Sequence, residues 1–579
     1  MGAFFLIRKD PRIPDIKLAA ERLSAQLTRQ GFSQPRLLST TAYDLYVYPK
    51  LIAPSGNVYE ARNGDFCCCT GTLLYRGEFG NRALELFYRH FDPLAPHIEN
   101  LYGAFCIVIR KSGRTFLFID RLGIYKVYRD TDGFFWSSSF LAILAGAKCV
   151  RINGQAVYEY VFQGATYGDD TVIEQIKQVD CDYIYELGAR IERSPMPGRL
   201  TEDMISDEPI ETHLERNLAN LRYFYRQIVS GFGDRIDSAL SGGYDSRLTL
   251  ALLKEAGAKP KIHVYGRAED ADVQIARQID AGEGLGLQHI DKSRFSRIPV
   301  DEFGQVVEEN FYAFDGYPND GIFCGVADLN TRRDRCRNGE LMLNGGGGEI
   351  FRNFFYLRNT SFKIRELLWS FYSQFDPGIC TRRFSLADYY ARLGAVIKRV
   401  LRIDRDTLHR GEIELLYPLF RCRYWMGRNN SVNNRLGYAL TPFIDYRIVR
   451  DAVKIPLRYK NFGLFETRMI QAVDSTLAAY PSAYGHDFAQ DPPLKRKIKD
   501  LKTHFRPTWS RPLIYRMGAR RRLMNHSCLL SQPYRDAVLG PDYEYMREFF
   551  RIEAINDSEQ LNRICTFEFL FSRVRPDVS

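Results

Sequence analysis

The stretch that most restricts the fold is a short apolar run, Arg235-Ile236-Asp237-Ser238-Ala239-Leu240. It leads at once into Ser241-Gly242-Gly243-Tyr244-Asp245-Ser246 and then into a helical pattern from Arg247 to about Ala256. A buried strand that enters a glycine turn and leaves as a helix is half of a β–α–β unit, so a parallel α/β sheet is expected. Lys261-Ile262-His263-Val264-Tyr265-Gly266 and Leu341-Met342-Leu343-Asn344 read as its second and third strands, the third ending in Gly345-Gly346-Gly347-Gly348-Glu349. All three run out into glycine or polar residues, and the carboxyl edge of an open α/β sheet is where ligands sit. The first turn also has a chemical reading. Its glycines let backbone N–H groups converge, Ser241 and Ser246 add hydroxyl donors, and the helix N-terminus favours negative charge. Asp245 beside phosphates implies an intervening cation, Mg²⁺. A turn whose serine and aspartate merely cap the helix is the plain alternative. It leaves most of the five residues unexplained. The turn is not a Walker motif, because no Gly-Lys-Ser/Thr occurs in the chain.

Ahead of this region, residues 1–193 read as short strands. Leu101 to Ile109 is a continuous apolar run, and Thr115 to Asp120 and Gly133 to Ser137 look like the next strands. Residues 194–209, with Ser194-Pro195-Met196-Pro197-Gly198, form a plausible linker. Residues 210–579 form the second domain, opening with a helix from Glu211 to about Ser230. Cys67-Cys68-Cys69 fits buried strand thiols better than a metal site, since no His or Cys pair at ligand spacing accompanies it. No run approaches the ~18 apolar residues of a membrane span, and the N-terminus has no signal-peptide pattern, so the cytoplasm is the expected location. The net charge is +10, and residues 495–522 carry eleven Lys and Arg against Asp500 alone, which equals the whole excess. Phe505, Trp509 and Tyr515 are interleaved with them. This stretch is either a solvated helical face or a dock for an acidic partner or a membrane surface, broken into pieces by Pro507 and Pro512.

The Ser241–Ser246 turn resembles the pyrophosphate loop of the ATP pyrophosphatases, and specifically of the asparagine synthetase family. Asp272 with Ala276, Leu285-Gly286 with His289, and Thr441-Pro442-Phe443-Ile444-Asp445 are similar to further segments of that family. Asp120-Arg121-Leu122-Gly123 and Ser137-Ser138-Ser139 resemble signatures of its glutaminase part. The resemblance covers nearly the whole chain. It implies a glutaminase-like αββα sandwich of two stacked sheets, followed by a parallel-sheet α/β ATP-pyrophosphatase domain with a helical C-terminal part. It further implies ATP with adenine near Leu240, Val264 and Tyr265, ribose near Gly345, and pyrophosphate on Ser241, Gly242, Gly243 and Ser246. Mg²⁺ would be held by Asp245 and Glu349.

The departures from that pattern direct the functional expectation. Position 2 is Gly, where a glutaminase of this type needs a cysteine nucleophile. The family's Asp-Glu pair after its glycine loop becomes Glu349-Ile350, so Glu349 either reaches the metal or caps its helix. Tyr438 and Leu440 stand where the family has Glu and Arg. The family's lysine at the pyrophosphate has its frame at Thr467, with Arg468 the best substitute and Lys460 the second. The catalytic set expected is therefore Asp245, Glu349, Tyr438 and Arg468. The expected function is an ATP-dependent carbon–nitrogen ligase without its own glutaminase. It would adenylate a carboxylate and pass it to an amine, as in β-lactam synthetases and lasso-peptide cyclases. Amidation of aspartate or a sugar acid with ammonia, a catalytically silent nucleotide-binding scaffold, and, with least support, nucleic-acid modification remain as alternatives.

Overall fold

Two large antiparallel sheets and one parallel sheet, with a two-stranded antiparallel ribbon of Phe362–Lys363 and Thr407–Leu408, organise the described residues. The computed structural model describes residues 2–52, 56–96, 98–188, 190–293, 297–521 and 527–577. The six-stranded sheet has the order Ile176–Gln178, Tyr128–Asp130, Phe135–Ser137, Ala3–Arg8, Tyr43–Tyr48, Arg36–Ser39. The seven-stranded sheet is centred on Phe66–Tyr75 and Leu101–Lys111, antiparallel over ten residue pairs. Alternation along these two strands sorts their side chains. Cys67, Cys69, Phe105 and Ile107 pack outward on Leu84 and Phe87 of the helix Gly80–His90. Cys68, Cys106 and Val108 face the opposite way, toward the main core. Tyr43 Oη donates to Thr115 Oγ1 at 2.6 Å from one sheet to the other. The helix Ile16–Arg29 buries Ala20, Leu23 and Leu27 in the same core as Phe4 and Leu6. The antiparallel pairing continues to Pro195, two residues beyond 193, so Ser194 and Pro195 belong to a strand rather than to a linker.

The helix Ile210–Phe232 follows, with Leu218, Leu221, Phe224, Tyr225, Ile228 and Phe232 buried at three- and four-residue intervals. The five-stranded sheet has the order Gln288–Ile290, Lys261–Tyr265, Ile236–Ala239, Leu341–Leu343, Tyr438–Leu440, and every neighbouring pair is parallel. The chain starts in the middle, winds out to one edge, then returns to build the other. The order reverses between Ile236–Ala239 and Leu341–Leu343. In such a sheet the helices that follow these two strands leave on opposite faces and open a crevice at the carboxyl edge. Both glycine loops border that crevice.

The edge strand Tyr438–Leu440 meets the seven-stranded sheet. Ala439 N donates to Thr72 Oγ1 at 3.1 Å, Thr72 Oγ1 donates to Asn434 Oδ1 at 2.6 Å, and Gly103 N donates to Asp445 Oδ2 at 2.8 Å. Gly103 has φ +115°, and a Cβ there would lie 2.2 Å from Thr72 O and 3.1 Å from the Leu440 side chain. Only glycine lets these backbones approach so closely. Lys50 is buried at the same junction, its Nζ donating to Asn434 O and Gly437 O, and burial pulls its pKa down to about 7. The long helical stretch from Arg410 to Leu436 changes to π-helical geometry over Tyr417–Met426. Pro418 explains the change, since it has no N–H and its ring clashes with the preceding turn. Among the described residues no helix is long and apolar enough to cross a membrane. Arg522, at the end of the basic stretch, lies outside the described residues.

Candidate active site at the sheet's switch point

The turn after the central strand is built from its own side chains. Ser241 N donates to Ser246 Oγ at 3.0 Å, the two serine hydroxyls stand 3.0 Å apart, and Gly243 N donates to Ser241 Oγ at 3.3 Å. Gly242 N donates to the Asp272 carboxylate at 2.8 Å, so that oxygen already stands where an anion would bind. The helix Tyr244–Glu255 begins with no side-chain cap, which leaves its first-turn N–H groups open to a ligand.

The second loop is fitted against the first. A Cβ on Gly345 would lie 3.3 Å from Asp245 O, and one on Gly348 would lie 2.6 Å from Asp245 Oδ1 and 2.9 Å from Glu466 Oε1. Gly347, at φ +94°, would place a Cβ 2.4 Å from the Ile444 side chain. At Gly348 the missing Cβ lets bare backbone reach the two carboxyl groups, while Gly345 and Gly347 fit the loop against the Asp245 backbone and Ile444. Glu349, the second residue of the short 3₁₀ turn Gly348–Phe351, does not cap it. Its carboxylate accepts from Tyr417 Oη at 2.7 Å and lies 3.6 Å from the Arg352 guanidinium.

Arg352 is the hub. Its Nη2 donates to Asp245 Oδ1 at 2.7 Å, its Nε lies 3.2 Å from Glu466 Oε2, and its Nη1 donates to Tyr484 Oη at 3.3 Å. Burial raises the Asp245 pKa to about 6, against the lowering effect of Arg352 and reinforced by Glu349. Burial pushes Glu466 well above the ordinary carboxylate value, with Arg352 opposing and Asp245 adding to the shift. Its carboxyl oxygens are buried without an aligned hydrogen-bond partner among the described residues. The cluster thus sets three carboxyl groups, Asp245, Glu349 and Glu466, around one guanidinium. Arg352 and Glu466 were not among the residues expected from the sequence. The signal for Arg352 was its position three residues after Glu349, one 3₁₀ turn on. Glu466 stands one and two residues before Thr467 and Arg468, and nothing in its neighbours' sequence marks it as inward-facing.

Two expected residues are elsewhere. Tyr438 pairs with Leu341, at the amino end of the sheet, roughly 10 Å of strand away from the loops. Its ring meets Phe79 and Phe232 edge-on, with Lys50 Nζ 5.1 Å above it. It is a packing residue between the two halves of the chain. Arg468 is two positions after Glu466 on the helix Leu464–Val473, about 200° around it. With Glu466 turned into the cluster, Arg468 faces solvent and pairs with Asp491 at 2.9 Å. Exposed pairs of this kind contribute less than about 1 kcal/mol. Arg468→Ser is expected to shift urea unfolding by no more than that. A loss of several kcal/mol would show that the pair is part of a larger buried network. Leu240 and Val264 point into the apolar cluster with Val273 and Ile275, leaving their backbone at the sheet edge. Tyr265 lies under Lys292 Nζ at 4.1 Å.

Next to the carboxylates is a cavity of about 540 Å³. Tyr244, Glu349, Arg352, Phe354, Trp369, Phe371 and Tyr484 line it from one side, and Arg496, His504, Arg506 and Arg511 of the basic stretch from the other. Lys460 reaches its wall but is held by Glu414 at 3.2 Å, and burial lowers its pKa. Part of the basic stretch is therefore turned inward. Arg496 pairs with Asp500 at 3.2 Å, and Arg511 donates to Tyr356 O at 2.9 Å and Thr503 O at 3.2 Å. At the other end of the molecule Gly2 is buried, and a Cβ there would lie 2.6 Å from Pro49 O and 2.7 Å from the Phe32 ring. No nucleophilic side chain fits without moving that packing.

No protein-family model and no curated protein matches the chain. Among solved structures, it is similar to a glutamine phosphoribosylpyrophosphate (PRPP) amidotransferase from B. subtilis complexed with ADP and GMP. The identity is 11%, with 51% of this chain and 91% of that one covered and a TM-score of 0.21. It is also similar to the allosteric regulatory enzyme of purine biosynthesis, at 10% identity, 50% and 80% coverage and a TM-score of 0.22. TM-scores of that size decide nothing about the fold, which rests on the sheet orders and layering above. Neither name is that of an asparagine synthetase, so that resemblance rests on the sequence motifs.

Proposed function

We propose that the chain is an ATP-dependent carbon–nitrogen ligase that activates a carboxylic acid as its adenylate and passes it to an amine. The observation that carries this reading is the pair of glycine loops at the switch point of the parallel sheet, with Asp245 and Glu349 beside an uncapped helix start and a 540 Å³ cavity. The donor set fits Mg²⁺. Asp245 and Glu349 are hard oxygen ligands, Arg352 is the one guanidinium among the three carboxyl groups of the cluster, and Gly348 keeps the space against Asp245 clear of side chains. Bound there, Mg²⁺ would neutralise the charge on the departing pyrophosphate.

The protein's own residues do the positioning. Ser241, Gly242, Gly243 and Ser246 hold the β- and γ-phosphates, with Asp272 giving up the Gly242 N–H to them. Arg352 turns from Asp245 toward the phosphates as they arrive. A substrate carboxylate oxygen attacks the α-phosphorus and the bond to the bridging oxygen of pyrophosphate breaks. The amine nitrogen then attacks the acyl carbon, the bond from that carbon to the AMP oxygen breaks, and the amine proton passes to the departing AMP phosphate. The aromatic wall of the cavity receives the acyl group. Gly2 offers no thiolate, so the amine comes with the substrate or as ammonia rather than from glutamine hydrolysed by this chain.

ATP–pyrophosphate exchange against a panel of carboxylic acids tests the reading, because it needs no amine. Acid-dependent exchange is expected. Release of ADP and phosphate would overturn the adenylate route. A second reading, nucleotide binding without catalysis, draws on Arg352 standing among the carboxylates. It requires ATP to bind with no exchange for any acid.

A further inference from the structure

The helix Leu494–His504 is mounted inside out. Its protein-facing side is polar, with Asp500 and His504 buried and Arg496 paired to Asp500. Its apolar residues face solvent: Leu494 is 73% exposed and Phe505, just after the helix, 64%, with Ile498 and Leu501 also exposed. At 100° per residue these four fall within an arc of about 60°. Lys495, Lys499 and Lys502 flank that stripe on one side and Lys497 on the other. The apolar series continues through Trp509, 59% exposed, Leu513 and Met517 at intervals of four along the next helix, Ser510–Arg521. More than half of the large exposed apolar side chains among the described residues fall in this one stretch, 494–517. Helices of soluble proteins bury the apolar stripe and expose the charged one, and a contiguous exposed patch of this kind marks a contact surface.

We propose that these two helices dock on an anionic lipid surface. The exposed face of the first helix combines an apolar stripe with lysines on both flanks, the second helix continues the stripe, and Asp500, the one acid of the stretch, is turned inward. A second copy of the chain would set lysine against lysine across a two-fold axis, and an acidic peptide would satisfy the charge while leaving the apolar stripe wet. A bilayer interface takes both: the stripe enters the headgroup–acyl boundary and the lysines meet lipid phosphates. Since the inner side of the same helices lines the cavity, docking would place the cavity wall directly beneath a source of amphiphilic molecules. The docking itself does not depend on the chemistry of the site.

The full chain is to be sedimented with vesicles of phosphatidylcholine alone and with vesicles containing about 30% phosphatidylglycerol, a fraction that gives strong surface charge. Affinity for the anionic vesicles is expected to exceed that for the neutral ones by at least about tenfold, and Trp509 emission should shift to the blue on binding. Ile498→Ser with Phe505→Ser and Trp509→Ser, and separately Lys495→Gln with Lys499→Gln and Lys502→Gln, should each weaken anionic binding by at least about tenfold. All six side chains point away from the cavity, so circular dichroism should not change. Failure to sediment with anionic vesicles, or sedimentation that neither triple variant alters, overturns the proposal. So does a concentration-dependent dimer abolished by the apolar triple variant, which would assign the face to a second copy. Polyglutamate binding as tight as vesicle binding and insensitive to the apolar variant would assign it to an acidic peptide.

Discussion

Asp245→Asn is expected to lower acid-dependent ATP–pyrophosphate exchange by roughly 10³-fold, the scale on which a single preorganised electrostatic contact in a water-poor site acts. Asn has the shape of Asp and can still accept from Arg352 Nη2, so the loop keeps its geometry. What it lacks is the charge. The parent should show the same dependence through its pH profile. Asp245 is held near a pKa of about 6 by burial, with Arg352 pulling it down and Glu349 pushing it up. A protonated carboxyl is a poor metal ligand, so exchange should rise as pH increases through about 6 and level off above it. In the Asn variant that inflection should vanish from the residual rate. Undiminished exchange in the variant would remove Asp245 from the site, whatever the fold.

The largest effect on stability is expected from Arg352→Met. The methionine keeps much of the aliphatic stem over the Tyr244 ring, where the guanidinium lies 5.4 Å from the centroid, and removes the charge that three carboxyl groups share. Removing one partner of a buried ionic cluster costs about 3–5 kcal/mol. Urea unfolding at neutral pH should register that loss. Without the guanidinium the folded-state pKa values of Asp245 and Glu466 move further up, since Arg352 opposes burial at both. The folded protein then binds protons that the unfolded chain has released, so the variant's stability falls as pH rises above about 4, the ordinary carboxylate range. The gap between variant and parent should accordingly narrow toward pH 4 and widen toward pH 7. Millimolar Mg²⁺ should recover part of the loss at pH 7 if Asp245 and Glu349 hold it. A variant as stable as the parent at every pH would mean that solvent, not Arg352, balances these carboxylates.

The local elements of the second half were legible because each is written in neighbouring residues. The strands at 236–239, 261–265 and 341–343 and the helix at 210–232 lie within one or two residues of the expected spans. Apolar periodicity and glycine punctuation act over a few residues, and the chain can satisfy them without reference to the rest of the fold. The helix after the first glycine turn begins at Tyr244, three residues before the expected Arg247, because Gly243 ends the extended backbone earlier than the apolar pattern does. The strands Gln288–Ile290 and Tyr438–Leu440 are three residues each. They have too few positions to reveal a period and, unlike the equally short Leu341–Leu343, no glycine run to mark where they end; each is a strand because a neighbouring strand pairs with it.

What the sequence determined by itself is the pair of glycine loops and the residue types that border them, Asp245 and Glu349 among them. Backbone that must approach a carboxylate or turn at φ +94° leaves glycine as the workable residue, and that requirement is visible in the letters. What only the tertiary structure decided is which distant side chains complete the site. Glu466 and Arg468 are two apart in sequence, yet helix geometry turns one into the carboxylate cluster and the other to solvent. Tyr438 falls at the wrong end of its strand because the register with Leu341 fixes it there. Arg496 and Arg511 face the cavity while Lys495 and Lys499 face outward, although all four belong to one basic run. Charge and composition along a chain carry no direction; direction comes from the surface against which each helix packs.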